Sequence, residues 1–398
     1  MKLAESFILK VKLITFASVS KEIFVDRISL VNFKNYRHAE FGLSREINCF
    51  IGPNGAGKTN ILDAVYYMSM CKSYLNPIDS QNIHFDESFF VVQGTWGGTE
   101  RTEDIYCAIK KGKKKVFKRN KVLYEKLAEH IGLFPSVMIS PYDRNLILEG
   151  SEVRRKWMDG IIAQFNKPFL DQLILYSKVL VQRNALLKNM AGHGFFDAEN
   201  ISVWDEQLMR YGKFIFEQRM RFVEDFIPIF EKYYQWLSSG KEQVGLEYRS
   251  QLNDEKFETL LKDAIRDDQR KQYTTVGVHK DDLVFVINGH PVKKFGSQGQ
   301  QKSYLIALRL AQFEWLNTHL GKKPVLLLDD IFDKLDNLRV GKLMEMVSNH
   351  DFGQVLITDT DHKRVNEIFE GIGAEYKLFA VESNTVSEVN NLNPVSNE

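Results

Sequence analysis

Cysteine is scarce in this chain, which has three among its 398 residues, Cys49, Cys71 and Cys107. Their irregular spacing predicts neither a disulfide framework nor a zinc site, and it fits the reducing cytoplasm. Long apolar runs are also missing, since no stretch reaches the roughly 18 residues that a membrane-spanning helix needs. We therefore expect a cytoplasmic protein without a membrane span.

Excess charge of either sign is nearly absent, because 53 basic residues face 52 acidic ones. This balance argues against a uniformly basic nucleic-acid-binding protein. The distribution is less even, since residues 110–121 hold 8 of the basic residues and no acid, which leaves 45 basic against 52 acidic residues elsewhere, a net charge of −7. The segment predicts a positively charged hairpin with Gly112 near its turn. A solvated hairpin face is the simpler interpretation of such a run.

One glycine-rich stretch organises the rest of the chain, because it fits the phosphate-binding pattern G-x-x-x-x-G-K-[ST]. Its residues are Gly52, Pro53, Asn54, Gly55, Ala56, Gly57, Lys58 and Thr59. A predicted buried strand (47–51) precedes it and apolar residues at helical spacing (60–68) follow, in the order that a P-loop requires. The glycines let backbone N–H groups converge on a polyphosphate. We expect Lys58 to reach the β- and γ-phosphates of ATP and Thr59 to bind Mg²⁺.

An acidic pair at the end of another apolar strand is the natural partner of the P-loop. Residues 325–328 predict a buried parallel strand, and Asp329 and Asp330 follow at its carboxyl end, where ligands bind in open α/β sheets. We expect Asp329 to hold Mg²⁺ and Asp330 to act on the attacking water, with Lys58 as the other catalytic residue. A strand end that meets solvent is the alternative. Asp330 is one methylene shorter than the glutamate usual in ATP-binding-cassette ATPases, so slow hydrolysis is expected.

The segment Ser297-Gln298-Gly299-Gln300 opens a predicted helix ahead of the acidic strand, in the order of a cassette-ATPase signature. A serine and a glycine at a helix N-terminus suit a γ-phosphate through the hydroxyl, free N–H groups and the helix dipole. In that class the signature contacts the nucleotide of the other subunit, so Ser297, Gly299 and Gln300 predict an ATP-dependent homodimer. A well-made N-cap is the alternative. Residues 333–336 stand where the class has its D-loop.

Periodicity along the chain predicts an α/β fold in which a cassette-type P-loop ATPase head carries a helical second lobe. Residues 23–122 and 273–381 predict the two parts of the head, a mixed sheet with an antiparallel β layer. Residues 123–272 show long helical spacing without sustained heptads and predict the helical lobe. Residues 1–22 are expected to be a disordered leader or a non-native start, and residues 382–398 a disordered tail.

The chain resembles SMC-type cassette ATPases and, more closely, the RecF family of bacterial recombination mediators. The resemblance runs over residues 24–379 and is most specific in GPNGAGKTN (52–60), SPYDRNLILEGSEVRRKWMD (140–159), VGVHKDD (276–282), SQGQQKS (297–303) and LLLDD (326–330). It implies ATP-dependent binding of duplex DNA and of gapped or single-strand junctions, with RecO- and RecR-type partners that help load the RecA recombinase. It further implies a role in DNA replication, recombinational repair and the SOS response.

The resemblance also gives some residues a second interpretation. The lysine-rich segment becomes a possible DNA contact, salt-dependent and without base specificity. Arg154 and Arg155 match paired arginines of the family, with DNA contact and ion pairing both open. Gln81 and Gln93 are both candidates for the Q-loop residue. His279, beside two aspartates, favours a hydrogen-bonded loop histidine over a metal ligand.

Several positions depart from the family pattern. Val278 stands where relatives usually have proline, and residues 333–336 (Asp-Lys-Leu-Asp) stand where they commonly have Ser-Glu-Leu-Asp. No histidine occupies the register of the cassette-ATPase switch, because Thr358 and Asp359 follow the last core strand and His362 lies too far along. The residue that senses the γ-phosphate from this strand is therefore open.

Three other classes share parts of this pattern. A transporter ATPase subunit needs a coupling helix for a membrane partner and a switch histidine. A structural SMC-type tether needs a long heptad arm, and a nuclease-coupled cassette ATPase needs a further acidic metal cluster. The SMC-like opening (29–36) and the arginine segment (140–159) argue against the first class, and the sequence lacks a long heptad arm and a further acidic cluster, so it favours an ATP-gated DNA-binding protein.

Overall fold

The computed structural model describes residues 21–98, 101–193, 195–238, 242–331, 337–348, 351–361, 365 and 376–389. The strands in chain order are β1 (Lys21–Glu22), β2 (Phe24–Phe33), β3 (Tyr36–Gly42), β4 (Ile47–Ile51), β5 (Phe89–Gly97), β6 (Glu103–Lys110), β7 (Val116–Arg119), β8 (Val122–Leu123), β9 (Ser136–Ile139), β10 (Val244–Arg249), β11 (Asp282–Ile287), β12 (His290–Pro291), β13 (Lys322–Lys323), β14 (Val325–Leu328), β15 (Val355–Asp359), β16 (Tyr376–Glu382) and β17 (Thr385–Glu388). The longer helices are α1 (Lys58–Met70), α2 (Ser151–Phe165), α3 (Lys167–His193), α4 (Ala198–Ser238), α5 (Phe257–Lys271), α6 (Gln298–Leu320) and α7 (Asn337–Ser348).

A six-stranded sheet in the order β17-β16-β4-β15-β14-β9 forms the centre of the head. Neighbouring strands are parallel except β17, which pairs with β16 in the antiparallel sense. Every residue of β4, β9, β14 and β15 is buried, as expected for parallel strands that are covered on both faces. These four strands are adjacent and parallel, so their carboxyl ends lie side by side along one edge of the sheet.

A second sheet, β3-β2-β5-β6-β7-β8, is antiparallel throughout, and α1 lies between it and the central sheet. Ile61, Leu62 and Val65 of α1 are fully buried in a cluster that includes residues of both sheets. Gly94 on β5 makes a close approach to this helix, because a Cβ there would lie 2.6 Å from Met68 Sδ. The predicted parallel core with an antiparallel layer is confirmed.

Helices α2 to α5 form the helical lobe, beside a three-stranded sheet in the order β10-β11-β12. Helix α4 is 41 residues long and lies against α6 of the head. The ring centroids of Phe230 and Tyr304 are 4.7 Å apart, and those of Phe222 and Trp315 are 5.2 Å apart. The lobe and this side of the head therefore share one hydrophobic core.

The lobe boundary differs from the one that the sequence suggested. Strand β9 falls within residues 123–272, yet Val137 pairs with Leu326 and the strand forms an edge of the central sheet. Four residues are too few to interrupt the helical periodicity around them, and pairing with a strand almost 190 residues away leaves no local signal.

The prediction of a disordered tail from residue 382 is wrong for residues 382–389. Glu382 ends β16, and β17 folds back on that strand through Ser383 and Asn384, whose φ angles are +47° and +66°. Residues 390–398 lie outside the described residues, as do residues 1–20 of the predicted leader. Lys21 and Glu22, which were assigned to the leader, pair with β13.

The predicted lysine-rich hairpin is confirmed, and the structure contains a second tight hairpin. The lysine-rich segment joins β6 to β7 through a turn in which Gly112 has a φ of +72°. Asn288 and Gly289 join β11 to β12 with φ angles of +49° and +76°, the pattern of a type I′ turn. No helix in the described part of the chain combines the length and apolar character that crossing a bilayer requires.

Candidate nucleotide-binding site

The P-loop runs from the end of β4 to the start of α1 and makes two close approaches that only glycine permits. A Cβ at Gly52 would lie 2.1 Å from the carbonyl oxygen of Val381 on β16. A Cβ at Gly57 would lie 2.2 Å from Asn35 Nδ2. Gly57 also has a φ of +108°, in the left-handed region that side chains disfavour. The loop therefore depends on its glycines for its own shape as well as for access by a phosphate.

The first turn of α1 faces this loop without a side-chain cap. Gly57 is the N-cap residue and supplies no capping side chain. The first N–H groups of a helix generally lack a partner within the helix. Here the Asn60 N–H donates back to the carbonyl oxygen of Gly57 over 2.9 Å, and those of Lys58 and Thr59 precede it. The positive end of the helix dipole acts at the same place. Such a terminus suits an anion with several oxygens, and the polyphosphate of ATP is one.

The ammonium group of Lys58 is held against the same loop. The residue is 4% exposed, and Nζ donates to the carbonyl oxygens of Gly52 and Pro53 over 2.8 Å and 3.1 Å. The side chain therefore bends back over the P-loop instead of pointing into solvent. In P-loop ATPases this lysine cradles the β- and γ-phosphates.

Three hydroxyl groups converge on the carboxylate of Asp329. Thr59 Oγ1 and Thr358 Oγ1 donate to Oδ1 over 2.7 Å and 2.9 Å, and Ser140 Oγ donates to Oδ2 over 3.1 Å. These donors belong to the start of α1, the end of β15 and the residue after β9. The structure thus brings together Thr59 and Asp329, the two residues that the sequence predicted as Mg²⁺ ligands.

The electrostatics of Asp329 suit a cation. Burial raises the pKa of this carboxyl group, while the hydrogen bonds from Thr59, Thr358 and Ser140 act in the opposite direction. A nearby positive charge favours the ionised form of such a group. Carboxylate and hydroxyl oxygens are the hard donors that Mg²⁺ prefers. The residues therefore fit Mg²⁺, which Thr59 and Asp329 would hold while Ser140 and Thr358 orient the carboxylate.

Asp330 has a backbone conformation that is rare outside glycine, with a φ of +45°. Such a conformation costs about 1–2 kcal/mol and persists only where the surroundings hold it. Here the backbone N–H of Asp330 donates to Thr358 Oγ1 over 2.9 Å. One threonine hydroxyl therefore contacts both aspartates, and the half-buried Asp330 lies at the site edge where the sequence placed it.

The signature segment caps its own helix and remains exposed. Ser297 Oγ accepts a hydrogen bond from the Gln300 N–H over 3.3 Å, and the Ser297 N–H donates to Gln300 Oε1 over 2.7 Å, which completes a capping box. Gln300 Nε2 also donates to Glu242 Oε1 over 2.7 Å. Ser297 and Gly299 are exposed. The N-cap interpretation is therefore correct, and the same segment remains open to solvent.

Ser140 is the site residue that sequence reasoning missed. Of the two Q-loop candidates, Gln93 is exposed on β5 and points away from α1, since the following residue faces that helix. Gln81 accepts a hydrogen bond from Asn76 Nδ2 over 2.9 Å at the surface. Ser140 contacts Asp329 because β9 is the neighbour of β14, and only the strand order reveals that relation. The predicted D-loop (333–336) and His362 lie outside the described residues.

Arg154, Arg155 and His279 have structural partners. Arg154 donates from Nε and Nη2 to the carboxylate of Asp282 over 2.8 Å and 3.0 Å, and Arg155 Nη1 donates to the carbonyl oxygen of Asp281 over 2.5 Å. The Nδ1 atom of His279 lies 2.8 Å from a tyrosine hydroxyl, and burial lowers the pKa of this histidine to about 4. Within the described ranges, no group of three or more histidine, cysteine or acidic side chains is placed to bind a metal.

The fold and the site together define a P-loop ATPase head of the SMC and ATP-binding-cassette class. The model of the RecF/RecN/SMC N-terminal domain family matches residues 24–385. The DNA replication and repair protein RecF of Flavobacterium johnsoniae is 52% identical over 355 residues, which cover 89% of this chain and 99% of that relative. The RecF protein of Bacteroides fragilis is 46% identical over 364 residues, which cover 91% and 98%. The chain belongs to the RecF family.

Solved structures agree with this assignment. The recombination mediator protein RecF with ATP, from the RecFOR pathway, superposes with a TM-score of 0.85 at 28% identity, over 94% of this chain and 100% of that one. The Smc head domain of Pyrococcus furiosus, solved with an extended coiled coil, has a TM-score of 0.53 at 14% identity, over 92% of this chain and 96% of that one. The second likeness shows the shared head fold alone.

Proposed function

We propose that this protein is an ATP-dependent DNA-binding protein in which ATP drives two heads to close on DNA. One observation carries the proposal: the side chains of Thr59 and Asp329 contact each other beside the P-loop, while Ser297 and Gly299 lie exposed at the N-terminal end of α6. Each copy thus offers a half-site with a P-loop and an exposed signature that a second copy can use. ATP is then shared between the two heads.

In the proposed cycle, Lys58 and the first N–H groups of α1 bind the phosphates of ATP. The side chains of Thr59 and Asp329 would hold Mg²⁺, which would supply positive charge beside the phosphates. Ser297, Gly299 and Gln300 of a second copy contact the γ-phosphate, so the triphosphate bridges the heads. ATP acts mainly as a switch, because its contacts with the signature are made only in the closed dimer.

Hydrolysis opens the dimer in this proposal. Asp330 orients the attacking water and accepts its proton, held in place by the hydrogen bond from its N–H to Thr358. Turnover is slow, because an aspartate reaches one methylene less far than the usual glutamate. Loss of the γ-phosphate removes the contacts with the partner's signature, and the heads release DNA.

The biological setting is proposed from the relatives. Two of them are named DNA replication and repair protein RecF, and a solved structure is described as a recombination mediator of the RecFOR pathway. We propose that this chain binds duplex DNA and gapped or single-strand junctions in the cytoplasm. It would act with RecO- and RecR-type proteins to load RecA, in replication, recombinational repair and the SOS response.

The rival classes lack support from the described residues. A tether of the SMC type would extend a long helix away from the head. Helix α4 is the longest described helix, and it lies along the head through Phe222 and Phe230. No feature of the described ranges favours a transporter subunit or a nuclease-coupled ATPase.

Nucleotide dependence tests the proposal directly. Duplex binding and self-association are measured with ATP, ADP or no nucleotide for the wild type, Lys58→Met and the control Lys262→Met, an exposed lysine on α5. We expect ATP to promote duplex binding and self-association in the wild type and in the control. We expect ATP to promote neither process in Lys58→Met. Nucleotide-independent binding and association in the wild type would rule out the proposed clamp.

A second variant tests the role of Asp330. Asp330→Asn keeps the size of the side chain and removes its basic oxygen, so we expect ATP hydrolysis to slow and the ATP-bound dimer to persist. Size-exclusion chromatography after addition of ATP measures that persistence. An unchanged turnover rate would show that Asp330 does not act on the water.

A further inference from the structure

The lysine-rich hairpin lies beside a broad surface groove. The groove has a volume of about 840 Å³, and its lining includes the side-chain amides of Asn35, Asn76, Gln81 and Asn384 together with Phe85 and Lys111. The Lys111 N–H donates to the carbonyl oxygen of Ser88 over 2.9 Å, which attaches the hairpin turn to the loop that carries Phe85. We call this feature the amide groove.

The lysines at the tip of the hairpin have no structural use in the described part of the chain. Lys110, Lys111, Lys113 and Lys114 are exposed, and no described carboxylate forms an ion pair with any of them. Other basic residues of the same run form ion pairs with acidic side chains. Lys115 pairs with Asp79 over 2.8 Å, and Arg119 pairs with Glu103 over 2.6 Å.

These four ammonium groups lie within five positions of one turn. Like charges at this spacing repel one another, and an anionic partner relieves that repulsion. Acidic side chains on the same side offset the charge only in part. Asp86 is exposed on the rim of the groove, and Glu87 faces Arg37 over 3.7 Å.

Phe85 stands on the rim of the groove and is 87% exposed. The two residues before Phe85 are fixed to strand β2. Ile83 forms a β-bridge with Phe33, and the His84 N–H donates to the carbonyl oxygen of Asn32 over 2.8 Å. A phenyl ring presented to solvent by an anchored loop offers a flat apolar face for stacking.

We propose that the amide groove and the lysine tip form a binding site for single-stranded DNA, with Phe85 stacking on an unpaired base. This inference rests on the proposed DNA-binding function and names the strand type that one of its surfaces takes. The lysines contact phosphates, and the side-chain nitrogens of Gln81 and Asn384, whose amide oxygens accept from Asn76 and Asn35, donate to exposed base edges. Aromatic stacking combined with a positively charged rim is the usual arrangement for single strands. A paired base within a duplex does not offer its face to Phe85.

The groove also adjoins the P-loop. Asn35, which lines the groove, donates from Nδ2 to the carbonyl oxygen of Ala56 over 3.2 Å and accepts from Asn60 Nδ2 over 2.6 Å. A nucleotide that orders the P-loop therefore acts on a residue that the strand would contact. Binding of the single strand is accordingly ATP-dependent.

The base of the bound ATP is the competing occupant of the groove. A neutral purine ring does not pair with four ammonium groups. The groove has the volume of a pocket for a complete drug-sized ligand, which is more than one purine ring fills. The charge and the size both favour a segment of nucleic acid. Occupation of the amide groove by the ATP base would overturn the proposal.

The test compares three proteins with the wild type. The lysine variant carries Lys110→Gln, Lys111→Gln, Lys113→Gln and Lys114→Gln, and the stacking variant carries Phe85→Ser. The matched control loses the same charge from exposed positions of the helical lobe through Lys178→Gln, Lys188→Gln, Lys213→Gln and Lys262→Gln.

Fluorescence anisotropy measures the binding of a deoxythymidine oligomer, a duplex with a single-stranded tail and a blunt duplex, each with ATP and Mg²⁺. Binding of a fluorescent ATP analogue and thermal melting are measured in parallel.

We expect Phe85→Ser to weaken binding of the oligomer and the tailed duplex about tenfold, the order of one lost base stack. Its binding of blunt duplex, its ATP affinity and its melting temperature stay unchanged. The lysine variant lowers the salt slope for the oligomer by about 3, since each phosphate contact to a single strand contributes roughly 0.7. The salt slope of the control variant stays within about 0.7 of the wild-type value, which is the contribution of one phosphate contact.

Equal losses on tailed and blunt duplex would overturn the assignment to single strands. Weaker binding of the ATP analogue by Phe85→Ser would place the ATP base in the groove and overturn the proposal as well. Wild-type affinities in both variants would exclude the surface as a DNA site while leaving the ATP-dependent clamp intact. Absence of ATP-dependent DNA binding in the wild type would instead refute the proposed function.

Discussion

The backbone N–H of Asp330 donates a 2.9 Å hydrogen bond to Thr358 Oγ1, although 28 residues separate the two. The same hydroxyl donates to Asp329 Oδ1 over 2.9 Å, and Thr358 is fully buried. Thr358 is therefore a positioning residue for both aspartates. It lies near the end of β15, within the central sheet, and its hydroxyl contacts the acidic pair.

Replacing Thr358 with valine keeps its shape and removes the hydroxyl. The N–H of Asp330 then lacks its acceptor, and the left-handed backbone of this residue loses its tether. We expect the ATP turnover number to fall about tenfold, the effect of about 1.4 kcal/mol at the transition state. The affinity for ATP changes much less, because the P-loop is untouched. Steady-state kinetics and equilibrium nucleotide binding measure the two quantities separately.

Thr358→Ser is the matched control, since serine restores the hydroxyl. We expect this variant to recover most of the wild-type turnover. A Thr358→Val enzyme with normal turnover, or a serine variant as slow as the valine one, would contradict the positioning role.

Asp329 makes stability depend on pH. Burial raises the pKa of its carboxyl group, so the folded chain binds the proton more tightly than the unfolded chain. The free energy of unfolding is then highest below the ordinary pKa of an aspartate and falls as the pH rises through the raised pKa. Asp329→Asn removes this loss. We expect the nucleotide-free variant to be more stable than the wild type near neutral pH and to resemble it in acid.

Urea unfolding without Mg²⁺ at several pH values tests this expectation. Asp171→Asn, at an exposed position of α3, is the control and leaves the pH dependence unchanged. The same Asp329→Asn protein loses the stabilisation that ATP and Mg²⁺ give the wild type. A variant that is less stable than the wild type at neutral pH would show that the hydroxyl contacts outweigh the buried charge.

Local patterns predicted the elements that surround the site. The P-loop, the acidic strand and the signature segment each place their diagnostic residues within about ten positions, so Thr59, Asp329 and Ser297 were found without a structure. Ser140 was not found, because it reaches Asp329 through the pairing of β9 with β14. That pairing depends on strand order, which no local signal carries. Asn35 was missed for the same reason, since its contact with Ala56 joins a hairpin to the P-loop.

The tail shows the opposite kind of error. Residues 385–388 are polar apart from Val386, and such a segment predicts disorder because it offers little apolar area for burial. Here the segment adds an antiparallel edge strand to a sheet that already exists, so backbone hydrogen bonds and the packing of Val386 against the core supply the stabilisation. Asn384, in the turn between β16 and β17, accepts a hydrogen bond from Asn35 Nδ2 over 2.5 Å.

Gly57 and Gly55 both have positive φ angles, +108° and +83°, but their surroundings differ. A Cβ at Gly57 would lie 2.2 Å from Asn35 Nδ2, whereas a Cβ at Gly55 would meet no atom within 4 Å. We expect Gly57→Ala to displace Asn35 and to abolish measurable ATP binding. Gly55→Ala bears only backbone strain, about 1–2 kcal/mol, and retains weakened binding.

Isothermal titration with ATP and Mg²⁺ measures both affinities, and thermal melting checks that each variant folds. A third variant, Gly57→Ala with Asn35→Ala, removes the closest clash and leaves the 2.8 Å approach of the Tyr36 hydroxyl, so it is expected to recover part of the lost affinity. If Gly55→Ala were the more damaging substitution, the close approach of Asn35 would not be what excludes a side chain at Gly57.

Gly299 separates the two interpretations of the signature. A Cβ at this residue would meet no atom within 4 Å of its own chain, and the residue lies in the exposed first turn of α6. Alanine is the better helix former, so Gly299→Ala leaves the fold as stable as before or slightly more stable. If Ser297 and Gly299 serve only as a helix cap, the variant behaves as the wild type in every assay.

The proposed dimer predicts a different result, because the partner's γ-phosphate would meet the added methyl group. We expect Gly299→Ala to bind ATP with unchanged affinity as a monomer, to form little ATP-dependent dimer and to hydrolyse ATP at least tenfold more slowly. Gly341→Ala is the control, since it adds the same methyl group at an exposed position of α7 with no atom within 4 Å.

Mixing Gly299→Ala with Lys58→Met tests whether the signature acts across the dimer. A dimer of these two chains joins an intact P-loop to an intact signature at only one of its two sites, so partial recovery of hydrolysis requires the signature to act on the nucleotide of the other subunit. No recovery in the mixture, together with wild-type dimerisation by Gly299→Ala alone, would confine the signature to its role as a helix cap.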